Sequence, residues 1–499
     1  MKRPYLVSIT RNNRTTKISV FIILLAFCPG VFIESFWSDD YAALMNSNGM
    51  VQLLLSDARP TQAALTSLSF SLIDSPQNGW ILRCFALVAL ILVFLFIVKR
   101  INKSRQGNIG IFAIAIAFCL PSFQMYIHWS NAWSFLWAAL AGLHAFNFWT
   151  SSNPIKKLLG VFLLVLALTN YPPVAVFYFA TIVVVNVLNG SKASKLINET
   201  IQGLYLFVIA AVTSITIVVI TLQVFQVRPT GRVRLISLYE IPDKIVWLFT
   251  RPITTGLRPF MIDSPAPEFA LITAMPIVFI LFFGIKVQAR LLNESIFRRG
   301  FYVAFSLILT LIPLVVTPEN QIEFRLISGY CWGITSLAVY FFLIMVDQRF
   351  GNPDSMTGVK TTILFTTPIA LLLVSVISVN VHYMELFNNS YHKKNAFLNE
   401  KISTCFNTGG ARNVFILPPK QPFPFHKRLG VFSMSTDLYS GWVAEPNVEL
   451  ILKQRGVSAH VKYFDKRPTN LEERGLDCII DLEEFRKTLV KIPTKDSEN

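Results

Sequence analysis

The fold is decided near the N-terminus by the sequence ISVFIILLAFCPGVFIESFWSDDY, which occupies residues 18–41. Its first part, Ile18 to Ile33, is almost wholly apolar, and with its flanking residues it is long enough to cross the hydrocarbon core of a bilayer. Its last part, Trp37-Ser38-Asp39-Asp40-Tyr41, places two adjacent carboxylates just outside that span. Acids at a membrane boundary are unfavourable unless they are solvated or paired, so they either end a helix in the headgroups or serve a function.

The acidic pair suits acid–base chemistry. Adjacent side chains leave the backbone in different directions, so one carboxylate can face a cleft while the other orients it. A carboxylate held in that way is able to take a proton from a hydroxyl group. Asp39 and Asp40 are therefore the candidate catalytic residues, and the aromatic residues beside them, Trp37 and Tyr41, are candidates for binding the substrate.

The composition is that of a membrane protein. Of the 499 residues, 53% are hydrophobic and only 15% are charged, whereas about a quarter of the residues in a soluble chain are charged. The formal net charge is +16, which in a membrane protein indicates basic cytoplasmic loops and contact with anionic lipid. No soluble segment combines a basic array with interleaved aromatic residues, so the composition argues against nucleic acid as a partner.

Apolar runs of roughly the required length recur along the chain. They predict an all-α polytopic membrane protein with about eleven transmembrane helices. The first run is expected to be retained as a span, because no small-residue cleavage site follows it. The predicted spans are residues 18–36, 80–98, 109–123, 132–149, 158–169, 173–188, 203–225, 269–285, 301–317, 326–346 and 361–379.

The short loops predict the orientation of these spans. Lysine and arginine are frequent before the first span and in every second loop, and the loops at 124–131 and 170–173 have none. The N-terminus is therefore predicted to be cytoplasmic, and eleven spans place the C-terminus outside. The chain then divides into a transmembrane domain, 1–380, and an extracytoplasmic C-terminal domain, 381–499. The transmembrane domain has two large external loops, 37–79 and 226–268.

The C-terminal domain is predicted to be a small α/β unit, because strand-like runs and segments of helical periodicity share it. It has no phosphate-binding glycine motif and no nucleophile elbow, so its expected task is to cover the site or help bind an acceptor. Cys405 and Cys478 lie in it, and the sequence leaves open whether they pair. The predicted strands are 413–417, 459–464 and 478–481, and the predicted helices are 395–405 and 448–455.

The first external loop is predicted to form two amphipathic helices, 41–55 and 61–73, of the kind that lies in the membrane interface. Between them, Asp57-Ala58-Arg59-Pro60 forms a turn that brings a guanidinium group near the acidic pair. Arg59 is thus a candidate for binding a phosphate, because arginine matches that group well. The alternative is an ion pair on the surface of the loop.

Further cations lie in the other external segments. The second external loop is rich in arginine, and one more arginine lies at the mouth of a span. These charges either bind an anionic lipid phosphate or are simply solvated. The candidate phosphate-binding residues here are Arg228, Arg232, Arg251, Arg258 and Arg325. The candidate substrate-binding residues on external tips are His128, Trp129, Glu319 and Glu323.

The first span running into Trp37-Ser38-Asp39-Asp40-Tyr41, followed by Ala58-Arg59-Pro60, resembles the bacterial and phage-borne O-antigen glucosyltransferases that convert serotype. These belong to the multi-span GT-C glycosyltransferases, and in architecture the resemblance covers about residues 1–380. The family often has Gly-Arg-Pro where this chain has Ala58-Arg59-Pro60. The resemblance implies an inner-membrane enzyme with an undecaprenyl-phosphate-linked glucose donor, a lipopolysaccharide O-antigen acceptor and periplasmic chemistry. It also implies that Asp39 or Asp40 is the base.

Two other functions fit parts of the same pattern. An O-antigen polymerase or ligase would use a lipid-diphosphate donor and would depend on the arginine-rich external loop. A flippase for lipid-linked sugars would need charged or broken segments at mid-membrane and an inverted repeat, and the sequence shows no repeat. No cofactor is indicated with certainty. Two adjacent acids are able to hold a divalent cation, but they do not complete a set of ligands.

Overall fold

Helices make up most of the protein in the computed structural model, and three short strands lie near the C-terminus. This agrees with the predicted, mainly helical polytopic architecture. The structure describes residues 4–33, 38–73, 75–258, 267–320, 325–350, 358–384, 389–407, 413–420, 441–464 and 478–490.

The part predicted to lie in and beside the membrane runs from helix α1 to helix α19. A short 3₁₀ turn, Ser130–Ala132, separates α7 from α8. The helices are α1 (Pro4–Phe32), α2 (Ser38–Met45), α3 (Ser47–Ser56), α4 (Pro60–Ser71), α5 (Trp80–Val98), α6 (Arg105–Phe118), α7 (Pro121–His128), α8 (Phe135–Trp149), α9 (Pro154–Asn170), α10 (Pro172–Ala175), α11 (Tyr178–Leu188), α12 (Ala193–Val224), α13 (Ile241–Thr250), α14 (Pro252–Gly256), α15 (Pro267–Leu291), α16 (Ile296–Ile308), α17 (Ile312–Val315), α18 (Ser328–Phe350) and α19 (Gly358–His382).

Among the described residues, six helical segments are long and apolar enough to cross a membrane. Three shorter apolar helices accompany them. Each of the eleven predicted runs coincides with one or more helices, but length and hydropathy support six spans, and the total of eleven stays a prediction. The six segments are Asn13–Phe32, Pro76–Val98, Ala193–Val224, Ala274–Leu291, Ile296–Val315 and Ser328–Gln348, and the shorter helices are Gln106–Phe118, Pro172–Leu188 and Ile369–Val381.

Helix α1 comes very close to the end of α7 at Gly30. A Cβ atom at this position would lie 2.0 Å from Cε1 of His128, so a larger residue would force a neighbour to move. His128 is fully buried, with the rings of Phe27 and Tyr383 at centroid distances of 6.1 Å and 4.2 Å. The imidazole therefore has little room to yield. This contact holds the turn that follows His128 against the first helix.

The first external loop forms three helices, and the prediction of two is wrong. The chain leaves helical geometry at Asn46, whose side chain accepts a hydrogen bond of 2.9 Å from the N–H of Gly49 and so caps α3. Asparagine favours such N-cap positions because its side chain bonds the local backbone. Farther on, Ala58 adopts a φ of 61° in the left-handed region. The turn before Arg59 therefore forms with alanine in the place where the resembling family often has glycine.

The C-terminal region contains a parallel three-stranded sheet in the order β2-β1-β3, and its strands lie where the sequence predicts them. Helices α20 and α21 pack on the sheet through an apolar core that includes Leu398, Val414 and Val448. Cys405 and Cys478 form a disulfide between α20 and β3. The elements are α20 (Asn389–Asn407), β1 (Asn413–Leu417), α21 (Gly441–Gln454), β2 (His460–Tyr463), β3 (Cys478–Asp481) and α22 (Leu482–Val490).

We expect Gly30→Ala to destabilise the protein by about 1–3 kcal/mol, because the added methyl group overpacks the contact with His128. The thermal unfolding midpoint of the purified protein in detergent measures this effect. The matched control is Gly231→Ala, where an added Cβ meets no atom within 4 Å, and its midpoint should equal that of the wild type. Equal midpoints for the two variants would contradict the close approach of α1 and α7.

Candidate active site at the first external helix

Asp40 lies in the first turn of α2 and is completely buried. Its carboxylate accepts hydrogen bonds from two successive backbone N–H groups, that of Ser130 at 3.3 Å and that of Asn131 at 2.7 Å. We call residues 129–131 the anchor turn. Hydrogen bonds from N–H groups to a carboxylate are among the stronger ones in proteins. Asp40 therefore fastens the first external helix to the loop between α7 and α8.

Asp39 differs from its neighbour in exposure, because its side chain is only half-buried. Successive residues of a helix are about 100° apart around the axis, which follows from 3.6 residues per turn. The two carboxylates therefore point in different directions. Asp39 remains accessible to a substrate, whereas Asp40 is held inside the protein.

Two buried cations lie near Asp40, and neither was nominated from the sequence. Arg83 of α5 is completely buried, and its Nε donates a hydrogen bond of 3.0 Å to the carbonyl oxygen of Val31. Its charge also interacts with that of Asp40. The sequence does distinguish Arg83, because it is the only charged residue in the predicted span 80–98. Ionisable residues inside a span are commonly functional.

Lys394 is the second of these cations and comes from α20, in the C-terminal region. Only 2% of the residue is exposed. Its Nζ atom lies 4.4 Å from the ring centroid of Tyr41 and 5.9 Å from that of Tyr391. Burial lowers the pKa of Lys394 to about 7, although the nearby charge of Asp40 opposes this shift. Nothing in the sequence distinguishes Lys394 from the other lysines of the C-terminal region.

Arg59 precedes α4, and the centre of its guanidinium lies 5.2 Å from the ring centroid of Tyr171. That ring stacks on Phe135 at 3.7 Å. Helix α4 is also joined to the anchor turn, because Thr66 donates a hydrogen bond of 3.2 Å to the side chain of Asn131. Helix α4, which follows Arg59, and Asp40 are thus hydrogen-bonded to the same short segment.

Arg325 also contacts the anchor turn. The centre of its guanidinium lies 4.8 Å from the ring centroid of Trp129, the first residue of the turn. Its carbonyl oxygen accepts a hydrogen bond of 2.5 Å from the hydroxyl of Tyr126. Arg59, Arg325 and Lys394 therefore share one feature, since each rests on the face of an aromatic ring. Such a contact holds a cation in place without neutralising its charge.

Three of the other predicted phosphate-binding residues, Arg228, Arg251 and Arg258, do not contact the anchor turn in the described part of the chain. Arg228 and Arg251 are exposed, and Arg258 is half-buried and donates a hydrogen bond of 3.3 Å to the carbonyl oxygen of Thr254. In the described part of the chain, no hydrogen bond, ion pair or ring contact joins these three arginines to the anchor turn. The side chain of Arg232 lies outside the described residues.

The predicted substrate-binding residues have varied positions. His128 is buried in packing contacts with α1 and with Tyr383, which directly follows α19. Trp129 and Tyr41 provide the rings under Arg325 and Lys394. The carbonyl oxygen of Glu319 accepts a hydrogen bond of 2.6 Å from Lys244, next to the second external loop. Trp37 and Glu323 lie outside the described residues.

Three buried polar atoms on or beside the anchor turn make no hydrogen bond within the described residues. Two belong to the turn itself, Nε1 of Trp129 and Oγ of Ser130. The third is Oε1 of Gln62, which lies one helical turn before Thr66 on the face of α4 that meets Asn131. Buried polar groups are normally satisfied, so these three atoms are exceptions among the described residues.

The described residues contain no group of three or more histidine, cysteine, aspartate and glutamate side chains placed to hold a metal ion. A scan against models of protein families and a search of curated proteins found no match to this chain. The likeness to O-antigen glucosyltransferases therefore rests on the residues quoted above.

Proposed function

We propose that this protein is an inner-membrane glycosyltransferase that moves glucose from undecaprenyl phosphate to the O-antigen of lipopolysaccharide on the periplasmic face. One observation carries the proposal. Asp40 and Arg325, which are far apart in sequence, both contact the anchor turn. Arg59 precedes α4, and Thr66 of that helix is hydrogen-bonded to the same turn. A carboxylate beside cations is the arrangement that sugar transfer from a lipid phosphate requires.

The reaction can be written with these groups. Asp39 takes the proton from a hydroxyl group of the acceptor sugar, and the hydroxyl oxygen attacks the anomeric carbon of the donor. The bond between that carbon and the phosphate oxygen breaks, and undecaprenyl phosphate leaves with the bonding electrons. Arg59 and Arg325 stabilise the negative charge that collects on the phosphate. Each lies on a ring face, and this contact holds the guanidinium group in place.

Asp39 is assigned as the base because it is the accessible member of the pair. Asp40 is assigned a positioning role, because its two oxygens already accept backbone hydrogen bonds and no part of the residue is exposed. The unsatisfied atoms of Gln62, Trp129 and Ser130 fit hydroxyl groups of the transferred sugar. A hydroxyl-rich ring would satisfy them, which favours a sugar donor over a simple lipid.

The predicted orientation of the spans also favours a reaction on the periplasmic face of the membrane. The loops predicted to be cytoplasmic carry the lysine and arginine expected of that side. The disulfide between Cys405 and Cys478 is of the kind that forms in oxidising compartments such as the periplasm. Both arguments favour placing the C-terminal region and α2 outside the cytoplasm.

The rival functions have less support. A polymerase or ligase that uses the second external loop would need its arginines to gather around a diphosphate. Arg228 and Arg251 are exposed, and the nearby Arg234 is paired with Glu240 at 2.7 Å. A flippase of the inverted-repeat type would show an internal repeat, and the sequence shows none.

We expect Asp39→Asn to lower kcat for glucose transfer by about 100- to 10,000-fold, which is the usual contribution of a general base. Its thermal unfolding midpoint should stay at the wild-type value, because Asp39 is not the buried anchor. The measurement is transfer of labelled glucose from undecaprenyl phosphate to purified O-antigen. Wild-type turnover in this variant would contradict the assignment of the base.

Asp40→Asn should behave differently. An amide cannot accept two charge-assisted hydrogen bonds, and its substitution leaves Lys394 without the carboxylate that faces it, so we expect a loss of about 1–3 kcal/mol of stability. The thermal midpoint in detergent reports this loss. An unchanged midpoint would show that Asp40 is not the anchor of α2.

Arg59→Met should raise KM for the lipid-linked donor about 10- to 100-fold, because a charged hydrogen-bonding partner of the phosphate is lost. Arg59→Lys should recover part of the affinity, because lysine restores the positive charge but not the paired hydrogen bonds of a guanidinium group. The control is Arg298→Met on the predicted cytoplasmic side, where the residue is exposed and KM should not change. A donor KM that is equal in all three variants would rule out a phosphate contact at Arg59.

A further inference from the structure

Lys394 is the feature of the site that the proposed reaction does not yet use. It belongs to α20, far along the chain from the acidic pair, and it is almost completely buried. The two residues before it, His392 and Lys393, are exposed on the same helix. Lysine is seldom fully buried unless it is paired, so the position of its ammonium group requires an explanation.

The neighbours of Lys394 explain its burial only in part. Its ammonium lies over the rings of Tyr41 and Tyr391, and a desolvated contact of this kind is favourable but modest. The carboxylate of Asp40 attracts it through space, but that group already accepts hydrogen bonds from Ser130 and Asn131. An ammonium has three N–H donors, and an additional anion beside it would use them.

The C-terminal region is fixed next to the acidic pair by packing, which keeps Lys394 there. Tyr391 of α20 and Leu450 of α21 share an apolar cluster with Tyr41 and with Met50 and Leu54 of α3. Helix α21 also packs directly on α2. Packing of the C-terminal region on α2 and α3 therefore holds Lys394 next to the acidic pair. Lys394 is not a mobile side chain at the surface.

We propose that Lys394 binds the phosphate group of the polyprenyl-phosphate donor, which makes the C-terminal region part of the active site. This inference rests on the proposed function, because it assigns one more contact to the same donor. Lysine is a common point-charge ligand of phosphate. Its ammonium lies 4.4 Å from the ring centroid of Tyr41, the residue that follows the acidic pair.

The experiment uses the full chain in lipid nanodiscs, with three variants: Lys394→Met, Lys394→Arg and Lys393→Met. Binding of undecaprenyl phosphate without any sugar or acceptor is measured by its effect on the thermal midpoint, and donor KM and kcat are measured separately. Further arms replace the ligand by inorganic phosphate or by phosphatidylglycerol in the nanodisc. These arms distinguish a polyprenyl phosphate from a free phosphate and from a bulk lipid headgroup.

We expect Lys394→Met to weaken undecaprenyl phosphate binding and to raise donor KM about 10- to 100-fold, which corresponds to one charge-assisted contact. Lys394→Arg should recover much of the binding, because it restores the charge. Lys393→Met should match the wild type, since its side chain is exposed. Stabilisation by inorganic phosphate or phosphatidylglycerol as strong as that by undecaprenyl phosphate would overturn the assignment to the donor.

The failure of this inference can be told apart from failure of the proposed function. Glucose transfer with an unchanged donor KM in Lys394→Met would overturn the inference and leave the function intact. Binding of undecaprenyl phosphate that depends on Lys394, without transfer to any O-antigen, would keep the inference and remove the function. If Lys394→Met does not fold, Lys394→Gln is used for the same comparison, and wild-type binding in that variant also overturns the inference.

Discussion

The hydrogen bonds from the backbone of Ser130 and Asn131 to the carboxylate of Asp40 are the constraint on which the site depends. An ionised carboxylate that leaves water loses several kcal/mol of solvation, and hydrogen bonds and nearby cations must offset that loss. The two N–H groups and the charges of Arg83 and Lys394 provide this compensation. With Asp40 held in this way, the position of α2 is fixed, and with it the position of Asp39.

The anchor turn is itself held from several directions. Gly30 allows α1 to contact His128, Thr66 connects α4 to Asn131, and Trp129 lies under Arg325. These contacts join the first helix, the first external loop and the mouth of α18. The cations of the site rest on aromatic rings, which have little mobility when buried. Buried rings thus hold Arg59, Arg325 and Lys394 in fixed positions.

Much of the architecture could be predicted from the sequence. Hydropathy located the helices, because a membrane span needs a long apolar run, and the alternation of apolar residues located strands such as Asn413–Leu417. The split of the first external loop at Asn46 was missed, although asparagine is a capping residue. Arg83 was missed as well, although a charge inside an apolar run is a usable signal. Neither error arose from a lack of information in the sequence.

By itself the sequence determined which segments are apolar enough for a membrane and which two carboxylates follow the first of them. It also predicted that Arg59 lies near that pair, because only a short stretch of chain separates them. The tertiary structure alone decided which of the two acids is buried, and which distant cations meet it. Lys394 illustrates the reason, since burial and charge pairing depend on contacts between segments hundreds of residues apart, and local sequence patterns carry no record of such contacts.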